Sequence, residues 1–121
     1  MNTLKKFFKG FTYAFSGIKY FFLHERNGKV QMVIALLTIV AGFLLKLTST
    51  EWIMALFCIA LVLGLEMVNS ALENLCNVVQ EDFHLKIKII KDIAAGAVLW
   101  ASLISAIIGA IIFLPKILNL V

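Results

Sequence analysis

Glu66, Asn69, Ser70, Glu73 and Asn77 recur at i, i+3, i+4, i+7 and i+11 within LEMVNSALENLCN, residues 65–77. At about 100° per residue they fall within roughly 60° of one line along a helix. That line begins inside a long apolar run and ends where polar sequence takes over. Asn69 and Ser70 alone would read as helix–helix glue, hydrogen-bonding to a neighbouring chain. Two glutamates go beyond that reading. A carboxylate in hydrocarbon needs a lysine, a bound proton or a metal ion to be tolerated. Oxygen ligands favour Mg²⁺ over a transition metal, and no clustered histidine or cysteine competes. Mg²⁺ is usually held by one or two carboxylates together with substrate phosphates. Further along stand Glu81, Asp82, His84, Lys91 and Asp92, and lysine is a common phosphate partner. The inventory suits a phosphate-bearing, metal-bound substrate at a membrane surface. It suits a proton- or cation-coupled transporter equally well, and composition does not separate the two.

The elements that carry these groups follow from composition and periodicity. The chain has 121 residues, 62% of them hydrophobic and 15% charged, with a mean hydropathy of +1.00. Soluble domains are nearer half apolar and a quarter charged, so the expected class is an all-α integral membrane protein forming one domain, 1–121. The first helix is expected over about 3–23, with Leu4, Phe7, Phe11, Phe15, Ile18 and Phe22 on one side. Lys5, Lys9, Thr12, Ser16 and Lys19 lie on the other, with Tyr13 beside them. Such a helix suits the headgroup plane. A polar break, 23–31, carries Glu25. Membrane spans are expected over about 30–47, 52–72 and 93–114, since about 20 apolar residues cross a bilayer. TSTE, 48–51, forms a turn with an N-cap before Trp52, and the second helix runs on to about Val79. A stripe of small residues, Ala94, Ala97, Ala101, Ser105 and Gly109, would let another helix approach closely.

The net charge of +4 is read as topology and lipid attraction rather than affinity for nucleic acid. Six lysines and arginines, from Lys5 to Lys29, precede the first span, and Lys86, Lys88 and Lys91 lie between the second and third. Only Lys46 and Lys116 flank the other side. The N-terminus and residues 80–91 are therefore expected in the cytoplasm and the C-terminus outside. The opening residues read as an amphipathic stretch rather than a signal peptide. Cys58 and Cys76 lack metal-type spacing and read as buried free thiols. No Walker A loop, glycine-rich kinase loop or catalytic HRD or DFG motif is present, and His24 and His84 offer no Ser–His–Asp arrangement.

LEMVNSALENL, followed by EDFH and then KDIAAGAV, resembles the small prokaryotic diacylglycerol kinase family, which includes undecaprenol kinases. An E-x-x-N-S/T-A-x-E core, an upstream glutamate and a KD pair 18 residues beyond the last core glutamate occur in order. The resemblance implies a homotrimer with active sites shared between neighbours, in a bacterial cell membrane. It implies transfer of the γ-phosphate of ATP, with Mg²⁺, to the hydroxyl of undecaprenol or diacylglycerol, feeding phospholipid synthesis or lipid-carrier recycling. By position Glu66 matches the general base and Asn69 the asparagine beside the reacting phosphate. Glu25 and Glu73 match metal-holding carboxylates. Tyr13, Asp82, Phe83, His84, Lys91 and Asp92 match nucleotide contacts. Lys6 and Lys9 match basic positions near the phosphates and lipid headgroup. Two departures stand out: Asn77 replaces a common aspartate, and LKIKIIKD follows His84 where a PLA-type sequence is usual. A small cation-coupled transporter and a structural membrane oligomer are the alternatives.

Overall fold

The computed structural model describes residues 2–121, so the first residue of the expected 1–121 domain lies outside it. Four helices follow one another: α1 Thr3–His24, α2 Arg26–Leu44, α3 Ser49–Val79 and α4 Leu85–Leu118. No strand occurs among the described residues. The last three helices are each long and apolar enough to cross a membrane, as expected of a small integral membrane protein.

The helix ends depart from the expected spans at three places. The polar break at 23–31 is one residue long, because only Glu25 leaves helical geometry (φ −93°, ψ 126°). The corner closes this tightly because Gly28 has no side chain. A Cβ there would stand 2.7 Å from the Phe21 carbonyl oxygen and 3.0 Å from its ring. The first span stops at Leu44 rather than 47. Lys46 takes a left-handed φ of 55°, and the Leu47 and Lys46 amides donate to the Gly42 and Phe43 carbonyls at 3.1 and 3.4 Å. This is a Schellman closure, with lysine where glycine is usual. Lastly, α4 takes in the polar residues 85–92 and continues through Pro115 to Leu118. Pro115 removes one backbone donor near the end of the helix, where few helical bonds remain to be broken.

TSTE supplies the N-cap of α3, but the cap is Thr48, so 49–51, expected as turn, form the first turn of the helix. The Thr48 hydroxyl accepts from the Glu51 amide at 3.2 Å and its own amide donates to the Glu51 carboxylate at 2.9 Å, a reciprocal capping box. α3 and α4 run antiparallel and are held at both ends. Lys116 Nζ lies 3.0 Å from Glu51 Oε1, and Lys91 Nζ donates to Asn77 Oδ1 at 2.6 Å. These links stand 26 residues apart on α3 and 25 apart on α4. At about 1.5 Å per residue both intervals exceed a hydrocarbon thickness of about 30 Å.

The interior changes character along α3. Near its N-terminus Leu47, Ala55 and Ile112 form a buried cluster with Trp52, Ile108 and Phe113 against it. One face then carries Val62, Glu66, Asn69 and Ser70, all buried. Most other large apolar side chains are exposed, as lipid-facing helices require. Of the small-residue stripe, Ala101 is buried, Ala97 is exposed and the Cβ position of Gly109 meets nothing within 4 Å. Cys58 and Cys76 are free thiols, Cys76 buried.

Candidate active site

Glu66, Asn69 and Ser70 form one buried turn of α3, only 3%, 6% and 7% exposed. They continue the face on which Ala55 and Val62 pack, so the helix period that buries apolar residues at one end buries polar ones at the other. The Asn69 side-chain oxygen is buried and has no hydrogen-bond partner. Such an acceptor is costly to maintain for folding alone. Glu73 and Asn77 lie on the same line farther along and are exposed.

Two other elements reach this line. The corner between α1 and α2 delivers Glu25, whose Oε1 accepts from Asn74 Nδ2 at 3.2 Å. Asn74 is the neighbour of Glu73, so the hydrogen bond brings the Glu25 carboxylate to the stretch of α3 that carries Glu73. The start of α4 delivers Lys91 to Asn77. Since Asn77 is neutral, this contact leaves the lysine charge uncancelled. Asp92 pairs instead with Lys88, at 2.6 Å, on the exposed side of α4. A hollow of about 340 Å³ lies elsewhere, in the apolar region among α2, α3 and α4. A second, of about 330 Å³ between α1 and α3, is bordered by Glu25, Ser70, Asn74, Tyr20 and Met67.

Other residues singled out by the sequence stand apart. Tyr13, Lys6 and Lys9 are exposed on α1, which touches the rest of the chain through its later turns. Asp82 and Phe83 are exposed in the connection before α4. His84 caps α4, its Nδ1 accepting from the Lys86 amide at 3.2 Å. Asn74 is the group that the sequence reading missed. Its signal was its place four residues after Ser70 and eight after Glu66, at the edge of the polar line.

A hard divalent cation fits the donors present. Among the described residues no three histidine, cysteine, aspartate or glutamate side chains gather into a metal-binding group. Mg²⁺ needs no such cage, since it keeps water and phosphate oxygens in its shell. The Glu25 and Glu73 carboxylates and the unpartnered Asn69 oxygen are all oxygen donors of the kind it prefers.

The family model for prokaryotic diacylglycerol kinase matches residues 12–113. The chain belongs to this family. Membership makes it a membrane lipid kinase of the diacylglycerol/undecaprenol kinase type, and so decides against the transporter and structural-oligomer alternatives. The prokaryotic diacylglycerol kinase match takes in Glu25, the polar line of α3 and Lys91. It begins after Lys6 and Lys9. An undecaprenol kinase of Bacillus subtilis is 38% identical over 115 residues, 95% of this chain and 94% of that protein. A diacylglycerol kinase of Synechocystis sp. is 36% identical over 111 residues, 91% of this chain and 63% of that protein.

Proposed function

We propose that this lipid kinase transfers the γ-phosphate of ATP to the hydroxyl of undecaprenol at the cytoplasmic face of a bacterial cell membrane. The observation that carries the reading is the buried pair Glu66 and Asn69, one turn apart where the apolar part of α3 ends. A lipid hydroxyl lies at that depth. In the proposed reaction the hydroxyl oxygen attacks the γ-phosphorus, the bond to the β–γ bridging oxygen breaks, and ADP leaves. Glu66 receives the hydroxyl proton. Burial serves that role, since a base kept from water is not solvated by it. Asn69 orients the reacting phosphoryl group.

Mg²⁺, held by Glu25 and Glu73, would supply charge neutralisation on the transferring phosphate. Lys91, which has no acidic partner among the described residues, binds phosphate oxygens. Tyr13, Asp82, Phe83, His84 and Asp92 contact the nucleotide, and Lys6 and Lys9 serve the phosphates and the lipid headgroup. Tyr13 and Phe83 are 65% and 78% exposed in the single chain, which supports active sites completed by neighbouring subunits in a homotrimer. The whole chain acts as one domain, with α1 in the headgroup plane, the N-terminus in the cytoplasm and the C-terminus outside. Its product would feed lipid-carrier recycling. Undecaprenol is placed before diacylglycerol because the undecaprenol kinase relative matches along nearly its full length.

The test is transfer of label from γ-labelled ATP in lipid–detergent micelles, with undecaprenol and diacylglycerol offered separately. Label is expected in undecaprenol. Glu66→Gln should lower turnover by about 100-fold or more, the usual scale of a lost general base, with assembly intact. Label in diacylglycerol alone would reverse the lipid assignment. Full turnover in the variant would remove Glu66 as the base.

A further inference from the structure

We infer that Asn74 is a positioning residue for the Glu25 carboxylate: a neutral donor that fixes it against α3 without cancelling its charge. This rests on the proposed metal role of Glu25. The backbone of Glu25 is already committed at the corner. Its amide donates to the Phe21 carbonyl at 3.0 Å, and its carbonyl accepts from the Lys29 amide at 3.2 Å. The corner therefore has little freedom, but a glutamate side chain still has three rotatable bonds. Asn74 Nδ2, 49 residues away in sequence, is its one side-chain hydrogen-bond partner among the described residues.

The chemistry of the partner is specific. Hydrogen bonds to an ionised carboxylate are stronger than neutral ones, so a single amide can select one rotamer. An amide N–H occupies one lone pair of Oε1 and leaves Oε2 free for a cation. A side chain of the same size without a donor would leave Glu25 turning about its rotamers, and a divalent ion would then have to order it on binding. Asn74 touches neither the lipid hydroxyl nor the reacting phosphate in this reading; it acts through Glu25.

The test is Mn²⁺ binding, followed by electron paramagnetic resonance on the detergent-solubilised protein with a non-hydrolysable ATP analogue. It compares wild type, Glu25→Gln, Asn74→Leu, Asn74→Gln and the double variant Glu25→Gln/Asn74→Leu. Asn74→Leu should weaken Mn²⁺ binding three- to ten-fold, while kcat at saturating Mg²⁺ stays within about twofold. Asn74→Gln, which keeps the donor, should recover most of the loss. The double variant should bind no worse than Glu25→Gln alone, because the asparagine acts only through that carboxylate. Circular dichroism on the same samples confirms that the helices are retained. Weakened binding in Glu25→Gln with wild-type binding in Asn74→Leu would overturn this inference alone, as would losses that add. Wild-type binding in Glu25→Gln would overturn the metal role of Glu25 and the inference with it.

Discussion

At the scale of single residues, Asn69 and Lys91 are polar groups whose bonding capacity the chain does not fill. The Asn69 oxygen is buried without a partner, and Lys91 meets a carboxamide rather than a carboxylate. An aspartate at 77 would cancel the lysine charge; Asn77 holds its position and leaves that charge for the phosphate of the proposed reaction. Lys91→Ala is accordingly expected to raise the KM for ATP about tenfold, the order of one charge-assisted contact, with a smaller change in kcat. Steady-state kinetics at varied ATP would check this, and an unaltered ATP dependence would leave Lys91 with only a role in setting topology. The polar line of α3 was legible because helical spacing alone places Glu66, Asn69 and Ser70 together. Asn74 and the Asn77–Lys91 contact were not, since their partners come from elements 49 and 14 residues away. Which residues face one another there depends on a one-residue corner and an interhelical register.

At the scale of elements, close approach at two glycines separates stability from function. A Cβ on Gly42 would stand 2.6 Å from Trp52 Cη2, and one on Gly28 would stand 2.7 Å from the Phe21 carbonyl oxygen. Alanine gains about 0.5–1 kcal/mol in a helix interior, yet overpacking costs about 1–3 kcal/mol, so both substitutions should destabilise. Gly42→Ala and Gly28→Ala should each lower the thermal midpoint in detergent, but they should differ in activity. Gly42 lies in the apolar end of the bundle, and its variant should keep near-normal turnover per folded molecule. Gly28 sets the corner that carries Glu25, and a misplaced carboxylate should cost about tenfold or more in activity. Lys46→Gly should stabilise by about 1 kcal/mol, because it relieves a left-handed lysine, seen as a higher midpoint. The helices themselves were legible from apolar runs and from the N-cap that TSTE offers. Their ends were less so: polar residues 26–29 and 85–92 read as breaks, yet tertiary packing and the His84 cap draw them into α2 and α4. Lys46 gave no sign of a turn, since glycine is the usual marker there.

At the scale of the whole molecule, the chain separates an apolar end, where Leu47, Ala55 and Ile112 meet, from a polar end, where Glu66, Asn69 and Ser70 are buried. The lysine distribution supports placing the polar end at the cytoplasm. Cysteines introduced in place of Lys9 and Asn119, in separate variants, should then react with a membrane-impermeant maleimide from opposite sides of sealed vesicles. Reaction of both from one side would refute the three-span topology. The corner at Glu25 has a mechanical consequence at this scale. α1 is 22 residues long, about 33 Å at 1.5 Å per residue, and it meets α2 across a single residue. There is no slack in that joint to absorb a swing of the helix. Its far turns expose Leu4, Phe7, Phe11 and Phe15, so they follow whatever apolar surface they rest on. α1 is thus a lever whose long arm carries the exposed apolar side chains and whose short arm is a carboxylate. A swing of that arm would be transmitted directly to Glu25 and to its hydrogen bond with Asn74.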